Sequence, residues 1–276
     1  MAGPSYRGLR RSVAVIACLV CAAALLTASR ATGEVTDQPL RVLQMNLCNS
    51  GIAGCYTGRS VTEAAAVIRA HAPDLVTLNE VCEADVDELG QALAEVHRGE
   101  AVVWAFEAAG DRRTAAAAQC RNGQRYGIGL LAHLPTPYHG YRTYSGIYPT
   151  QDLGDPEERA WLCLHAATAF YACATHLAST SPPVALAQCR YLLDTAIPAV
   201  RAQGGYAPTV LGGDFNLRPG GSPDVRSCLP SGYLREDDGN VQQVVATADF
   251  AVRSTRLIGM NGMTDHPSLL VALTVA

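Results

Sequence analysis

The chain has 276 residues, 49% of them hydrophobic, which is enough for one large core and excludes a disordered or fibrous protein. All 21 basic residues are arginine, so the lysine of a Schiff base or a P-loop is excluded. Four arginines and no acids lie in the first 33 residues, leaving 17 basic and 25 acidic side chains, a net charge of 17 − 25 = −8. Such a surface does not attract a polyanion over its whole area, so any phosphate must bind at one focused site.

The first 33 residues have the order of a secretory signal. Three arginines within the first eleven residues precede an apolar run (13–28), and small residues then lead to Glu34. Because the run is short for a membrane span, we predict a signal peptide (1–33) that is removed on export. The rest (34–276) is then a secreted, monomeric globular domain with no stable membrane insertion. An uncleaved membrane anchor is the alternative.

Export suggests that the eight cysteines outside the signal form disulfides. Two predicted strands (160–167 and 170–177) form a hairpin that turns near Thr168, which sets Cys163 opposite Cys173 at a distance that a disulfide can span. For the other six, the simplest hypothesis pairs neighbours along the chain: Cys48 with Cys55, Cys82 with Cys120, and Cys189 with Cys228.

The predicted elements mix strands and helices in one layered α/β domain. In chain order they are strand 41–47, helix 60–71, strand 75–78, helix 85–96, strands 102–106, 127–134, 160–167 and 170–177, helix 181–200, and strands 209–214, 249–254, 256–260 and 269–275. Ser60 and Glu63 have the spacing of a capping box, and Pro182 marks a helix start. Residues 108–125 hold four arginines without strand or helix period, which predicts an exposed cationic loop.

Five strand-like segments each deliver polar residues at one end. These residues are Asn46, Glu80, His176, the pair Asp214 and Asn216, and the pair Asp265 and His266. A carboxylate in such a position is costly to bury unless it is paired or binds a cation. Each residue alone has an ordinary structural explanation, but the recurrence at five strand ends indicates a shared site.

The segments that carry these residues are "LQMN", "LVTLNEV", "ATHLAS", "LGGDFNLRP" and "TDHPSLL". In this order and spacing they resemble the endonuclease/exonuclease/phosphatase superfamily, whose fold is that of deoxyribonuclease I. The resemblance covers the chain from about residue 40 to its end. It implies a four-layer α/β/β/α sandwich of two packed mixed sheets flanked by helices. It also implies an active site at one edge of the sheets that hydrolyses phosphoester bonds with Mg²⁺ or Mn²⁺.

The resemblance also implies a metal site. Glu80 matches the family's principal metal-binding glutamate, Asn46 matches its neighbour on the first strand, and Asp265 resembles an additional metal-site carboxylate. Ligation by oxygen atoms alone is what a hard cation such as Mg²⁺ prefers.

The remaining matches imply catalytic roles. Asp214 and Asn216 match the pair that orients the attacking water and holds the phosphate. His266 would be the general base, oriented by Asp249 in "TADFAVR". His176 would donate a hydrogen bond to a phosphoryl oxygen or protonate the leaving group.

Two further residues resemble substrate contacts. Arg159 matches a phosphate-facing arginine, although strand alternation puts it on the same face as His176 only if a bulge or bend intervenes. Tyr126, at the start of "YGIGLLAHL", lies near the position where the family has a tyrosine or asparagine.

We therefore predict an exported, metal-dependent phosphodiesterase, with nucleic acid or another phosphodiester as substrate and an endonuclease as the first hypothesis. The predicted cationic loop would grip the backbone of the nucleic acid. A sphingomyelinase-like phosphodiesterase of phospholipid head groups is the second hypothesis, with Tyr138, Tyr141, Tyr144 and Tyr148 as an interfacial anchor. The third is a binding module on the same fold that has lost catalysis.

Overall fold

The computed structural model describes residues 39–134, 137, 140–167 and 169–276. The predicted signal peptide, Tyr138 and the predicted turn at Thr168 lie outside the described residues. The helices are α1 (Ser60–His71), α2 (Glu83–Val96), α3 (Pro182–Tyr191) and α4 (Ile197–Gly204), with a π-helical turn (Leu192–Ala196) joining the last two and a 3-10 turn at Val225–Cys228. The strands are β1 (Leu40–Asn46), β2 (Leu75–Cys82), β3 (Ala101–Ala108), β4 (Gly110–Asp111), β5 (Ala116–Ala117), β6 (Tyr126–Leu134), β7 (Tyr141–Ile147), β8 (Glu157–Glu158), β9 (Ala160–Ala166), β10 (Phe170–His176), β11 (Thr209–Asp214), β12 (Tyr233–Asp237), β13 (Gln242–Thr247), β14 (Phe250–Ile258) and β15 (Ser268–Val275).

The strands form two large mixed sheets and one small sheet. The first sheet has the order β14-β15-β1-β2-β6-β3, the second β12-β13-β11-β10-β9-β7, and the small one β5-β4-β8. One apolar cluster lies between the two large sheets, and two others join each sheet to its own pair of helices. The result is the expected four-layer sandwich, with α1 and α2 outside the first sheet and α3 and α4 outside the second.

Burial on both faces explains why the inner strands read as nearly continuous apolar runs. In β1, Val42 packs between the two sheets, whereas Leu43 and Met45 pack with the residues of α1 and α2. All three are at most 1% exposed. The alternation of apolar and polar residues that marks a half-exposed strand is therefore weak in β1, although the predicted strand is confirmed.

Most of the predicted elements are present, with three differences. The predicted strands 249–254 and 256–260 are one strand, β14, whose register shifts between Val252 and Ser254. The predicted helix 181–200 is α3, the π-helical turn and α4 in succession. Strands β7, β12 and β13 were not predicted, because the first two are polar or half-exposed edge strands and the third opens with two glutamines.

The predicted capping box at Ser60 is wrong. The residue before α1 is Arg59, which has no side-chain capping bond, and Ser60 is the first helical residue. Its hydroxyl lies 3.3 Å from Oδ1 of Asn49 instead. Pro182 does lie in the first turn of α3, as predicted.

All four predicted disulfides are present: Cys48–Cys55, Cys82–Cys120, Cys163–Cys173 and Cys189–Cys228. Cys163 and Cys173 are direct cross-strand partners in β9 and β10, as the hairpin argument requires. Four disulfides are consistent with an extracellular protein. Among the described residues, no helix is long and apolar enough to cross a membrane.

The predicted tyrosine anchor is not a continuous surface feature. Tyr148 is buried, and its hydroxyl bonds the hydroxyl of Thr175 at 2.6 Å. Tyr144 is half-buried against the core of the second sheet, and of the three tyrosines that the structure describes only Tyr141, at 42%, is exposed. Tyr148 is therefore a packing residue.

Candidate active site

The ends of eight strands lie at one edge of the sandwich. Strands β1 and β2 are parallel, as are β10 and β11, so their carboxyl ends meet at this edge. Their antiparallel neighbours β6, β9, β13 and β15 begin at the same edge. Topology therefore brings together residues that are up to about 200 positions apart, and a cleft of about 710 Å³ opens there.

Seven of the ten predicted site residues line this cleft: Glu80, Tyr126, Arg159, His176, Asp214, Asn216 and His266. Asn46 lies directly behind it, with its amide nitrogen 2.8 Å from Oε1 of Glu80 and 3.2 Å from Oδ2 of Asp214. Asp265 is a more exposed neighbour, and only Asp249 lies elsewhere.

A backbone irregularity places Glu80 in the cleft. The register between β2 and β6 shifts between Asn79 and Val81, and Glu80 has φ +57°, in the left-handed region that a glutamate rarely adopts. Backbone strain of this kind is concentrated at functional sites. The bulge takes the Glu80 side chain out of strand alternation and presents its carboxylate beside Asn46.

The carboxylates of Glu80 and Asp214 fit a cation site. Burial raises the pKa of Glu80, and the charges of Asp214 and Asp265 raise it further. Burial also raises the pKa of Asp214. A divalent cation would remove this penalty, and carboxylate and amide oxygens are the donors that Mg²⁺ and Mn²⁺ prefer.

Amide donors hold Asp214 in one orientation. Its Oδ1 accepts from the backbone N–H of Asn216 at 3.0 Å, and its Oδ2 accepts from the side-chain amide of Gln242 at 3.0 Å. Asn216 has φ +50° and donates its own side-chain amide to the carbonyl of Leu177 at 2.9 Å. The Asp214 carboxylate is therefore fixed before any substrate binds.

A buried amide network behind the cleft was not predicted from the sequence. Gln44 donates to Asn79 and to Gln242, each at 2.7 Å, and thereby joins the two large sheets. Asn79 in turn accepts from the backbone N–H of Asp214 at 2.8 Å. The sheets approach so closely here that a Cβ on Gly212 would lie 2.1 Å from Oγ1 of Thr77. This contact explains the first glycine of "GGD".

Arg159 sets the tautomer of His176. Its Nη1 lies 2.8 Å from Nδ1 of His176, and because a guanidinium can only donate, Nδ1 must accept. His176 is then a neutral imidazole that carries its proton on Nε2. Burial and the charge of Arg159 hold the pKa of His176 well below its usual value. Arg159 is the single residue between β8 and β9. This break between the two strands supplies the bend that places Arg159 on the same face as His176.

We expect Arg159→Gln to release His176 from this state. Loss of the guanidinium removes the donor to Nδ1 and one cause of the depressed pKa, so His176 protonates at higher pH. We predict that kcat/KM on a phosphodiester falls about 10²-fold and that the pKa of His176, followed by NMR of its imidazole, rises. Arg113→Gln, at the exposed mouth of the cleft, is the control. A His176 pKa unchanged in Arg159→Gln would contradict this role.

Glu157 is a cleft residue that no sequence feature singled out. Its Oε1 lies 3.2 Å from Nη1 of Arg159. Burial nevertheless raises the pKa of Glu157 to about 7, because the charges of Asp155 and Glu80 counteract the lowering effect of Arg159. Burial also raises the pKa of Tyr126 on the same wall, so its hydroxyl stays protonated. Protonation of Glu157 below about pH 7 removes one negative charge from this wall.

Asp249 does not orient His266, and this prediction is wrong. Because β14 runs antiparallel to β15, Phe250 pairs with Val275, and Asp249 lies at the far end of β15, about 25 Å along the strand from His266. The Asp249 carboxylate accepts instead from the hydroxyls of Tyr206 at 2.7 Å and Thr247 at 2.6 Å.

Other carboxylates surround His266. Nε2 of His266 lies 3.8 Å from Oδ2 of Asp214 and 3.8 Å from Oδ1 of Asp265. Asp238, in the turn before β13, is close enough for His266 to lower its pKa, against the larger opposite effect of burial. Asp238 lies in the turn of the hairpin formed by β12 and β13, which was not predicted. The sequence feature that could have indicated this hairpin is the apolar run 244–246 in β13.

The predicted cationic loop (108–125) is largely neutralised by internal contacts. Arg112 donates to three backbone carbonyls of the segment 152–155 at 2.8–2.9 Å. Arg113 and Arg125 form ion pairs with nearby carboxylates. The loop also contains β4 and β5, which join β8 in the small sheet beside the cleft. It is a structured wall of the cleft.

A two-sheet sandwich with carboxylates, amides and two histidines at one edge defines a phosphoester hydrolase. The model of the endonuclease/exonuclease/phosphatase family matches residues 44–266. The chain belongs to this family, and it is a hydrolase that acts on phosphoester bonds. Enzymes of the family generally use divalent metal ions. No curated protein matches the sequence significantly.

Solved structures share the fold at low sequence identity. An endonuclease/exonuclease/phosphatase from Beutenbergia cavernae has a TM-score of 0.64 and 19% identity, over 87% of this chain and 72% of that one. The human Nocturnin catalytic domain with a bound sulfate anion has a TM-score of 0.62 and 17% identity, over 87% of this chain and 94% of that one. A mannosyl-6-phosphatase from Bacteroides thetaiotaomicron has a TM-score of 0.56 and 13% identity, over 85% of this chain and 99% of that one.

Proposed function

We propose that the protein is a secreted phosphodiesterase that depends on Mg²⁺ or Mn²⁺ and cleaves nucleic acid as an endonuclease, by in-line attack of water. The observation that carries this proposal is the meeting of Glu80, Asp214 and two histidines in one cleft. These groups supply a cation site, a fixed carboxylate and two imidazoles within reach of a single phosphate.

Asn46, Glu80 and Asp265 would hold the cation. Asn46 donates its side-chain amide to Glu80, so this amide would have to turn to present its oxygen to the ion, and the charge of Asp265 acts on Glu80. When bound, the ion would offset the charge that develops on the phosphoryl oxygens.

The other residues act on the water and the phosphate. Asp214 and Asn216 orient the attacking water, and His266 takes its proton as general base. His176 donates from Nε2 to a phosphoryl oxygen or to the leaving oxygen, as its tautomer requires. Arg159 holds that tautomer through its contact with Nδ1.

The cleft wall favours a second substrate class. Three of the four arginines expected to grip a nucleic-acid backbone, Arg112, Arg113 and Arg125, are engaged within the protein, and Asp111 and Asp155 line the cleft. A phosphodiester with few charges, such as a phospholipid head group, meets less repulsion from this wall than a polyanion does.

Nicking of supercoiled plasmid by the purified chain, with Mg²⁺ or Mn²⁺ and with EDTA, tests the first substrate class. Metal-dependent nicking that is lost in His266→Ala would support the endonuclease. Metal-dependent hydrolysis of bis(p-nitrophenyl) phosphate or vesicle phospholipid without nicking would favour the second class. No hydrolysis of any phosphodiester with either metal would contradict the proposal.

Secretion is supported by the four disulfides and by the signal-like order of the first 33 residues. We expect protein recovered from culture medium to begin near residue 34. A mature N-terminus at residue 1 would contradict removal of the signal.

A further inference from the structure

The side-chain amide of Gln151 bonds both backbone groups of Arg159. Its Oε1 accepts from the N–H of Arg159 at 2.8 Å, and its Nε2 donates to the carbonyl of Arg159 at 2.9 Å. Nε2 also donates to the carbonyl of Tyr148 at 2.9 Å. We propose that Gln151 is a positioning residue that acts on the reaction through Arg159 and His176, an inference that rests on the function proposed for the cleft.

The backbone of Arg159 needs such a partner because it lies between two strands and not within one. Its carbonyl accepts from the backbone N–H of Tyr148 at 3.0 Å, just beyond the ladder of β7 and β9, whereas its own N–H donates to Gln151. An amide suits this position because it carries an acceptor oxygen and a donor nitrogen on one group. Gln151 therefore supplies what a neighbouring strand supplies elsewhere in the sheet.

The same contact closes the loop 151–159. Gln151 and Arg159 are the two ends of this loop, and Asp155 and Glu157 lie between them. Nη2 of Arg159 donates to Oδ2 of Asp155 at 3.1 Å, and Nη1 lies 3.2 Å from Oε1 of Glu157. Because both carboxylates belong to the loop, the bonds that join its ends also set the groups that hold the guanidinium.

A buried glutamine of α3 joins this loop to the segment that carries His176. Nε2 of Gln188 donates to the carbonyl of Thr150 at 2.9 Å and lies 3.4 Å from Oε1 of Gln151. Its Oε1 accepts from the backbone N–H of Ala178 at 2.8 Å, two residues after His176. The arginine and the histidine are therefore both tied to the same pair of side-chain amides.

The contact that these amides support is buried and directional. Nη1 of Arg159 lies 2.8 Å from Nδ1 of His176, and both side chains are buried. A hydrogen bond weakens steeply when its donor turns away from the lone pair of the acceptor. If the backbone of Arg159 moves, Nδ1 loses its fixed donor, and the imidazole can then carry its proton on either nitrogen. Gln151 thus acts on which nitrogen of His176 donates to the phosphate.

Gln151→Met tests the proposal, because methionine keeps the length of the side chain but lacks the donor nitrogen and the acceptor oxygen. In the wild type without metal, ¹⁵N NMR of the His176 imidazole at fixed pH should show the proton on Nε2 alone. In Gln151→Met we expect both tautomers, and kcat/KM on bis(p-nitrophenyl) phosphate should fall about 10-fold. Gln203→Met, on the exposed end of α4, is the matched control and should change neither.

A double-mutant cycle shows whether Gln151 acts through Arg159. In the Arg159→Gln background, Gln151→Met should change kcat/KM by less than about twofold. Effects that multiply, or a single Nε2–H tautomer in Gln151→Met, would overturn the proposal.

Two further outcomes are separated by the same measurements. Gln151→Asn, whose amide is one methylene too short to reach both backbone groups, should show the same mixture of tautomers and replaces Gln151→Met if that variant does not fold. If the wild type hydrolyses no phosphodiester with Mg²⁺ or Mn²⁺, the proposed function fails. The tautomer of His176 in the two variants still decides whether Gln151 positions Arg159, because NMR does not depend on turnover.

Discussion

Replacement of Glu80 by glutamine is expected to lower metal-dependent kcat/KM by about 10³-fold or more. Glu80 is the one cleft carboxylate that a backbone bulge with a left-handed φ holds beside Asn46, so no neighbour can take its place. Its pKa is raised by burial and by Asp214, which means that the empty site carries an electrostatic cost. The neutral amide of glutamine at position 80 removes this electrostatic cost, and it also removes the attraction for the cation.

Two measurements separate these effects. Without metal, Glu80→Gln should unfold at the same Tm as the wild type or a higher one. With saturating Mg²⁺ or Mn²⁺, the wild type should gain about 2.7 kcal/mol at a metal concentration 100 times Kd, and the variant should gain almost nothing. Glu83→Gln, three residues further along and paired with Arg125 on the surface, is the control. Normal metal dependence in Glu80→Gln would refute its role as a ligand.

His266→Ala and Asp249→Asn are expected to behave very differently. Loss of the general base should lower kcat by about 10²- to 10⁴-fold. Asp249→Asn should keep activity within about twofold of wild type, because its carboxylate bonds Tyr206 and Thr247 at the far end of β15. Sequence similarity alone predicts a large loss in both variants, so this pair tests the structure directly.

The measurement is kcat/KM on a simple phosphodiester across pH, with Tm recorded for each variant so that a folding defect is not mistaken for lost chemistry. Asp238→Asn extends the series, because Asp238, like Asp214, is a carboxylate whose pKa the charge of His266 lowers against the larger effect of burial. We expect it to change the pH profile more than Asp249→Asn does. A loss in Asp249→Asn as large as in His266→Ala would show that the arrangement around β14 differs from the one described.

Local patterns were sufficient for much of the protein. Polar residues at the ends of apolar strands identified Glu80, His176 and Asp214, because an ionisable group is costly to bury in the middle of a core strand. Hairpin geometry identified the Cys163–Cys173 disulfide for the same local reason. The order and spacing of these motifs then indicated the family and its four-layer sandwich.

The sequence by itself was therefore sufficient to predict the fold class, the Cys163–Cys173 disulfide and most of the cleft residues, whereas the other three disulfides were hypotheses that the structure confirmed. Only the tertiary structure decided which carboxylates accompany His266, since the direction of β14 relative to β15 sends Asp249 to one end and the turn before β13 brings Asp238 to the other. It also decided that Arg159 fixes the tautomer of His176 and that Arg112, Arg113 and Arg125 of the cationic loop already have partners within the protein. Each of these depends on contacts between residues distant along the chain, and no local pattern records which partner a charged side chain meets.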